Sequence, residues 1–346
     1  MGSHNRKSTG SLKKLIVGIS ALVIAALAIF LGFQYMSPKA SSSNGVKSAL
    51  TTKKASTYKI SDEEKSYLKN KFDGLTATNP DAIAYIYAPG TQLDEPVVQT
   101  KDNSTYLDKT FEGGNEPLFG TVFMDMDNKK DFSDRLTWLF GHARGSQVED
   151  HRMFNDVNYY SDQSFFDNHK YVVIETPQRK YYYEALAMVI VPEDTAFYRT
   201  SFKDDKDFKE QLDIIYNTAD VKNKDLKVSA SDKYLVLSTC REEDATIRAN
   251  LYLRQIPDSE MTDFVAENIV DLFGKDALET IKEARMDVED VSYFLNEIPG
   301  CFFRLGTRVE EKGLIYDLHH PKFNIDEESL KIGIGLQLKN ILEYLK

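Results

Sequence analysis

Hydrophobic positions change texture four times along the chain. Leu15 to Phe33 (LIVGISALVIAALAIFLGF) is an unbroken run of 19 uncharged residues, close to the ~20 that a helix needs to cross a bilayer. After a Ser-, Lys- and Ala-rich stretch, Leu68, Phe72 and Leu75 recur at helical intervals behind Ser61-Asp-Glu-Glu64, which has the spacing of a capping box. From Asn79-Pro80 onward the pattern shortens to β-rich runs: AIAYIYAPG, EPVVQ, GTVFMDM, RLTWLFGH, KYVVIETP, KYYYEALAMVIV, KYLVLSTC and ANLYLRQI. Gly, Pro, Asn and Asp separate them, which predicts a barrel or sandwich rather than alternating βαβ units. One crossing, DFKEQLDIIYNTA, places Phe208, Leu212 and Ile215 on one helical face. Beyond Pro257 the texture turns helical again, with Phe264, Ile269 and Phe273 at broadly helical spacing and an apolar closing helix in GIGLQLKNILEYLK.

Charge separates the last texture from the rest. The chain carries a net −11, and residues 258–346, with 19 acidic and 10 basic side chains, hold −9 of it. That balance argues against general nucleic-acid binding. Arg6, Lys7, Lys13 and Lys14 precede the apolar run, and the positive-inside bias keeps such a flank in the cytoplasm. The run exceeds a usual signal-peptide core and lacks a small-residue cleavage site, so it reads as an uncleaved anchor rather than a cleaved leader. The expected organisation is a cytoplasmic segment (1–14), a transmembrane helix (15–33), an extracellular linker (34–58), a folded domain (59–257) and a C-terminal extension (258–346).

Two cysteines, Cys240 and Cys301, make no disulfide framework and no zinc knuckle. Cys240 stands where the apolar run YLVLST stops and polar sequence begins, the kind of place where a scaffold displays a reactive group. A thiol nucleophile needs a base or a cation nearby. The six histidines are His4, His142, His151, His169, His319 and His320. Of these, His142 ends the apolar run TWLFGH after a turn-permitting glycine, as Cys240 ends its own. Arg248 follows Cys240 after a polar turn, so a hairpin return brings a guanidinium beside the thiol. Arg254, six residues further on the same face, would stand about 20 Å away at ~3.3 Å per residue. Taken singly, a strand-end histidine or arginine is more often a solvated surface residue.

FGHARG around His142, LSTC ending at Cys240 and the following Arg248 resemble the sortases, and class B in particular. AYIYAPGTQLDEPVVQTKDNSTYLDKTFEGGNEPLFGTVFMD and HRMFNDVNYYSDQSFFDNHKYVVIETP are similar to that class as well, so the likeness covers about residues 61–257. It implies a mainly β fold: an eight-stranded barrel with an N-terminal helix and a helix between strands 6 and 7. It further implies a membrane-anchored cysteine transpeptidase on the outer face of a Gram-positive cell. Cys240 would attack the sorting signal of a surface protein, His142 would move the proton, and Arg248 would hold substrate and oxyanion. Ser238 and Thr239 are candidate substrate contacts. The acceptor amine would come from a cell-wall precursor peptide or a pilin lysine, and neither a metal nor an organic cofactor is implied. An Asn-Pro sorting signal, another signal, and a housekeeping, haem-uptake or pilus role all stay open.

VEDVSYFLNEIPGCFFRLGTRVEEKGLIYDLHHPKFNIDEESLKIGIGLQL is similar to the end of the metal-dependent aminoacylase and hippurate-hydrolase amidohydrolases. That resemblance implies an α+β extension in which His319 is a vestigial metal ligand, because the other ligands of the two-metal centre lie in sequence absent here and a catalytic zinc takes about three protein ligands. Cys301 reads as a core or strand residue. Two alternatives to the transpeptidase remain: a non-catalytic surface-binding barrel and an amidohydrolase acting through the tail.

Overall fold

Side chains alternate across a strand, so a run that is hydrophobic throughout needs an apolar environment on both faces. The computed structural model, which describes residues 60, 62–117, 119–143, 152–195, 197–241, 244, 246–279, 291–295 and 298–345, supplies two. Its strands are β1 (Ala82–Tyr87), β2 (Asp94–Val98), β3 (Val122–Met124), β4 (Leu136–Phe140), β5 (Tyr171–Glu175), β6 (Lys180–Pro192), β7 (Val221–Lys222), β8 (Tyr234–Cys240) and β9 (Ile247–Gln255). The order β5-β1-β2-β3-β4-β8-β9-β6 closes on itself through β6–β5 pairing, an eight-stranded barrel that joins its own edges. The two-residue β7, which no sequence pattern announced, pairs with β6 outside that ring. All eight predicted runs are strands.

Leu139, Leu235, Leu237, Leu251 and Leu253 point into the barrel, whereas Leu136, Trp138, Tyr234, Val236 and Tyr252 from the same strands point outward. The outward set is covered by helix α3 (Asp205–Thr218), which lies between β6 and β7 and lays Phe208, Leu212 and Ile215 on it. Asp204 starts that helix by accepting the Asp207 amide at 2.9 Å, satisfying one of the donors a helix start leaves open. An N-terminal helix, α1 (Asp62–Thr78), buries Leu68 and Phe72. It is tied to the barrel by charge: Lys71 Nζ lies 2.6 Å from Oε2 of the fully buried Glu175, which Lys180 also pairs at 3.1 Å. Lys71 further sits 3.4 Å above the Tyr85 ring. The capping residue Ser61 lies outside the described residues, as do 1–14, the run Leu15–Phe33 and the linker 34–58. Among the described residues no helix is long and apolar enough to cross a membrane.

The chain falls into two compact units, one of 57–258 with 289–300 and one that includes 259–288 and 301–346. In the first, helix α5 (Val291–Leu295) joins the barrel residues, and the Tyr182 hydroxyl donates to the Leu295 carbonyl at 3.0 Å. In the second, α4 (Glu260–Phe273) and α6 (Glu328–Tyr344) meet through an Asn268–Asn340 hydrogen bond of 2.9 Å, a Lys339–Asp271 ion pair of 2.8 Å and an edge-on Phe264–Tyr344 contact. The expectation of an α+β tail is corrected here. Among its described residues there is no strand, only an isolated bridge between Val309 and Leu314. A strand without a neighbour leaves its amides and carbonyls unpaired, so a segment lacking partner strands does not keep one.

Phe208 carries the joint between helix and barrel, being fully buried and packed edge-on to Tyr234. Phe208→Ala should destabilise the barrel unit by about 3–5 kcal/mol, read as a lower midpoint in chemical denaturation. A change under about 1 kcal/mol would mean that α3 contributes little to the core.

Candidate active site

Strand pairing decides which chain ends meet. β4 and β8 run parallel with Phe140 opposite Ser238. Continuing both chains by two residues brings His142 level with Cys240. Both rows lie on the outward face: Leu136, Trp138, Phe140 and His142 along one, Tyr234, Val236, Ser238 and Cys240 along the other. β8 then returns antiparallel as β9, with Arg248 opposite Cys240 and Arg254 opposite Tyr234 at the far end. Register therefore selects Arg248. Its Nη1 lies 3.2 Å from Cys240 Sγ, while Arg254 pairs Glu184 at 3.6 Å.

The three residues line one groove of about 300 Å³, with Phe140, Ser238 and Thr239 among its walls. Ser238 and Thr239 are buried and form part of the groove wall. Cys240 is half-buried, so the thiol is open to a reactant while its strand is not.

Backbone contacts fix His142 and Cys240. The Gly141 amide donates to the Ser238 carbonyl at 3.3 Å, and the His142 carbonyl accepts from the Phe154 amide at 3.0 Å. Gly141 leaves room for that approach, since a Cβ there would stand 3.0 Å from the Phe154 ring, tighter than an ordinary contact. On the other side, the Arg241 amide donates to the Ile247 carbonyl at 2.9 Å. The buried Asn158, from the 3₁₀ segment Asn155–Ser161, donates its Nδ2–H to the Cys240 carbonyl at 3.1 Å. The peptide after Cys240 is thus held from both sides.

His142 Nε2 stands 2.8 Å from the Leu107 carbonyl. A carbonyl only accepts, so Nε2 carries a proton and donates it to this oxygen. The group orienting the imidazole is therefore a main-chain oxygen in the β2–β3 connection. Residue types carry no signal for it, because any residue offers that carbonyl. Asn158 and Glu193, whose carboxylate meets Arg248 at 2.5 Å, were also missed. Each comes from a connection distant in sequence.

The described tail residues assemble no comparable site. His319 is exposed at a φ of 72°, and His320 stacks on Tyr316 at 4.3 Å while its Nδ1 accepts the Lys322 amide. Among the described residues no three His, Cys, Asp or Glu side chains converge as a metal site, so the described donors do not fit a two-metal centre. Cys301 is partly buried, and burial pushes its thiol above the ordinary range.

Known proteins divide between the two parts of the chain. Sortase B of Staphylococcus aureus is 30% identical over 180 residues, 52% of this chain and 71% of that protein. The solved Staphylococcus aureus sortase B–substrate complex is 28% identical with a TM-score of 0.50, covering 55% of this chain and 86% of that one. Thermostable carboxypeptidase 1 of Saccharolobus solfataricus is 33% identical over 99 residues, 29% of this chain and 25% of that protein. The model of peptidase family M20/M25/M40 matches residues 36–343. The chain belongs to the sortase B family through its barrel, and to peptidase family M20/M25/M40 through the match that takes in its tail.

Proposed function

We propose that this protein is a membrane-anchored cysteine transpeptidase of the sortase B type, with Cys240 as nucleophile, His142 as general acid and base, and Arg248 as the group that holds the reacting oxygen. The observation that carries this reading is the Arg248 Nη1–Cys240 Sγ contact of 3.2 Å in the groove that His142 also lines. The guanidinium lies directly beside the sulfur. It also stands where negative charge develops once that sulfur has added to a carbonyl.

The steps follow from these positions. The Cys240 thiol passes its proton to His142 as Sγ forms a bond to the carbonyl carbon of a peptide in the sorting signal of a surface protein. The C–N bond then breaks, His142 gives its proton to the departing amine, and a thioester remains on Cys240. An incoming amine, from a cell-wall precursor peptide or a pilin lysine, adds to that carbonyl and loses its proton to His142. The C–S bond breaks and His142 returns that proton to sulfur, so the thiol is restored. Ser238 and Thr239 form the groove wall next to the acyl group. Anchoring through Leu15–Phe33 would place this chemistry at the outer membrane surface, where both substrates are found.

A metal-dependent amidohydrolase is the second reading, favoured by the match to peptidase family M20/M25/M40. It rests on His319 and His320, whose surroundings supply no further donors among the described residues.

Intact-mass spectrometry of the protein mixed with Asn-Pro and Leu-Pro sorting peptides should reveal a thioacyl adduct that Cys240→Ala lacks. Adduct formation by both, or by neither with any peptide, would overturn the transpeptidase reading. Turnover should survive a chelator and be lost to thiol alkylation; the reverse pattern would favour the amidohydrolase. Arg248→Lys should lower kcat/KM by about 10²–10³-fold, since an ammonium cannot reproduce the planar fork at sulfur. Wild-type kinetics would remove Arg248 from the mechanism.

A further inference from the structure

Arg248 reaches Cys240 across a strand pair with a long side chain, which on its own samples many rotamers. Its backbone is fixed: Arg248 stands opposite Cys240 on β8 and opposite Val191 on β6. Two residues beyond Val191, Glu193 places Oε2 at 2.5 Å from Arg248 Nη2, while Nη1 of the same guanidinium meets Cys240 Sγ. Glu193 is itself pinned, because its amide donates to the Thr246 carbonyl at 2.9 Å in the turn joining β8 to β9. Thiol, guanidinium, carboxylate and turn thus form one closed circuit. A planar guanidinium held at one nitrogen by a carboxylate has its other nitrogen aimed.

We infer that Glu193 is a positioning residue for the active site: it orients Arg248 onto Cys240 and offsets part of the positive charge that the thiol meets. The inference rests on Cys240 being the reactive group of the proposed transpeptidase. Glu193 itself lies outside the groove wall and acts through Arg248.

Charged and titratable side chains reach this point from several elements. His142 comes from the end of β4 and Glu193 from the end of β6. Arg241 and Asp244 come from the turn after β8, the first directed to Ser161 Oγ and the second to Thr246. Asp156 comes from the 3₁₀ segment and accepts the Gln92 amide. Of these, Glu193 is the carboxylate that meets the guanidinium touching sulfur.

Two substitutions separate aim from charge. Glu193→Gln keeps an oxygen that can accept from Nη2 and removes the negative charge. The thiolate gains by that removal, so the acid limb of the Cys240 alkylation profile should move to lower pH by about half a unit. Glu193→Ala removes the anchor as well and lets Arg248 leave the sulfur. Its acid limb should move to higher pH, and kcat/KM should fall about tenfold. In an Arg248→Gln background both substitutions should lose their effect, as residues acting through one partner do.

The measurement is the rate of iodoacetamide modification of Cys240 against pH in the full chain, with Cys301→Ser in every variant so that one thiol reports. Opposite shifts for the two variants, abolished without Arg248, are the expected result. Profiles that overlay the wild type would overturn the inference, even if both variants melt at lower temperature, because a merely structural role moves stability alone. Alkylation needs no sorting peptide, so absence of a thioacyl adduct would count against the transpeptidase reading and leave the role of Glu193 measurable.

Discussion

Parallel pairing of β4 with β8 is the constraint on which the site depends. Two strands that end on one rim can present their last residues to each other only if they run in the same direction and share a register. Phe140 opposite Ser238 meets both conditions. A slip of one residue would turn His142 or Cys240 toward the barrel interior, since side chains alternate across the sheet. Two cores resist such a slip. Leu139 and Leu237 would leave the inner one, and Trp138 and Val236 would leave the layer beneath α3. The hydrophobic burial that stabilises the barrel also fixes the position of the chemistry.

Polar contacts then refine what packing has placed. Main-chain bonds hold Gly141, His142 and Arg241, and Asn158 holds the Cys240 carbonyl. The imidazole leans on the Leu107 carbonyl and the guanidinium on sulfur and Glu193. None of these partners is adjacent in sequence to the group it holds. A reacting group fixed by its surroundings loses little entropy on meeting its substrate. At the opposite extreme of exposure, the fully buried Glu175 carries two lysines and ties α1 to the barrel. Such a pair is costly to break by removing one partner, whatever its net contribution when intact.

The tail is organised differently. Its helices α4 and α6 meet through a few polar and aromatic contacts, while Leu318, Leu330, Ile334 and Leu342 stay exposed. Such apolar exposure suits a piece of a larger fold, in agreement with a carboxypeptidase relative of which the chain covers only a quarter. The ligand geometry of a metal centre is the property of a whole fold, and among the described residues His319 stands in no such group of donors.

The sequence by itself determined the strands, the barrel helix and the strand-end residues His142 and Cys240 that meet in the groove, because each rests on short-range pattern. Period-two alternation and turn residues marked β1 to β6, β8 and β9. Phe208, Leu212 and Ile215 marked α3, and strand ends marked His142 and Cys240. The hairpin return was legible too, since one short turn separates Cys240 from Arg248. Only the tertiary structure decided the rest. The strand order, the Leu107 carbonyl, Asn158 and Glu193 are contacts between segments dozens of residues apart, set by closure of the sheet. The tail's expected strands are missing among its described residues for the same reason: a strand is made by its neighbours, and the sequence of one segment does not carry them.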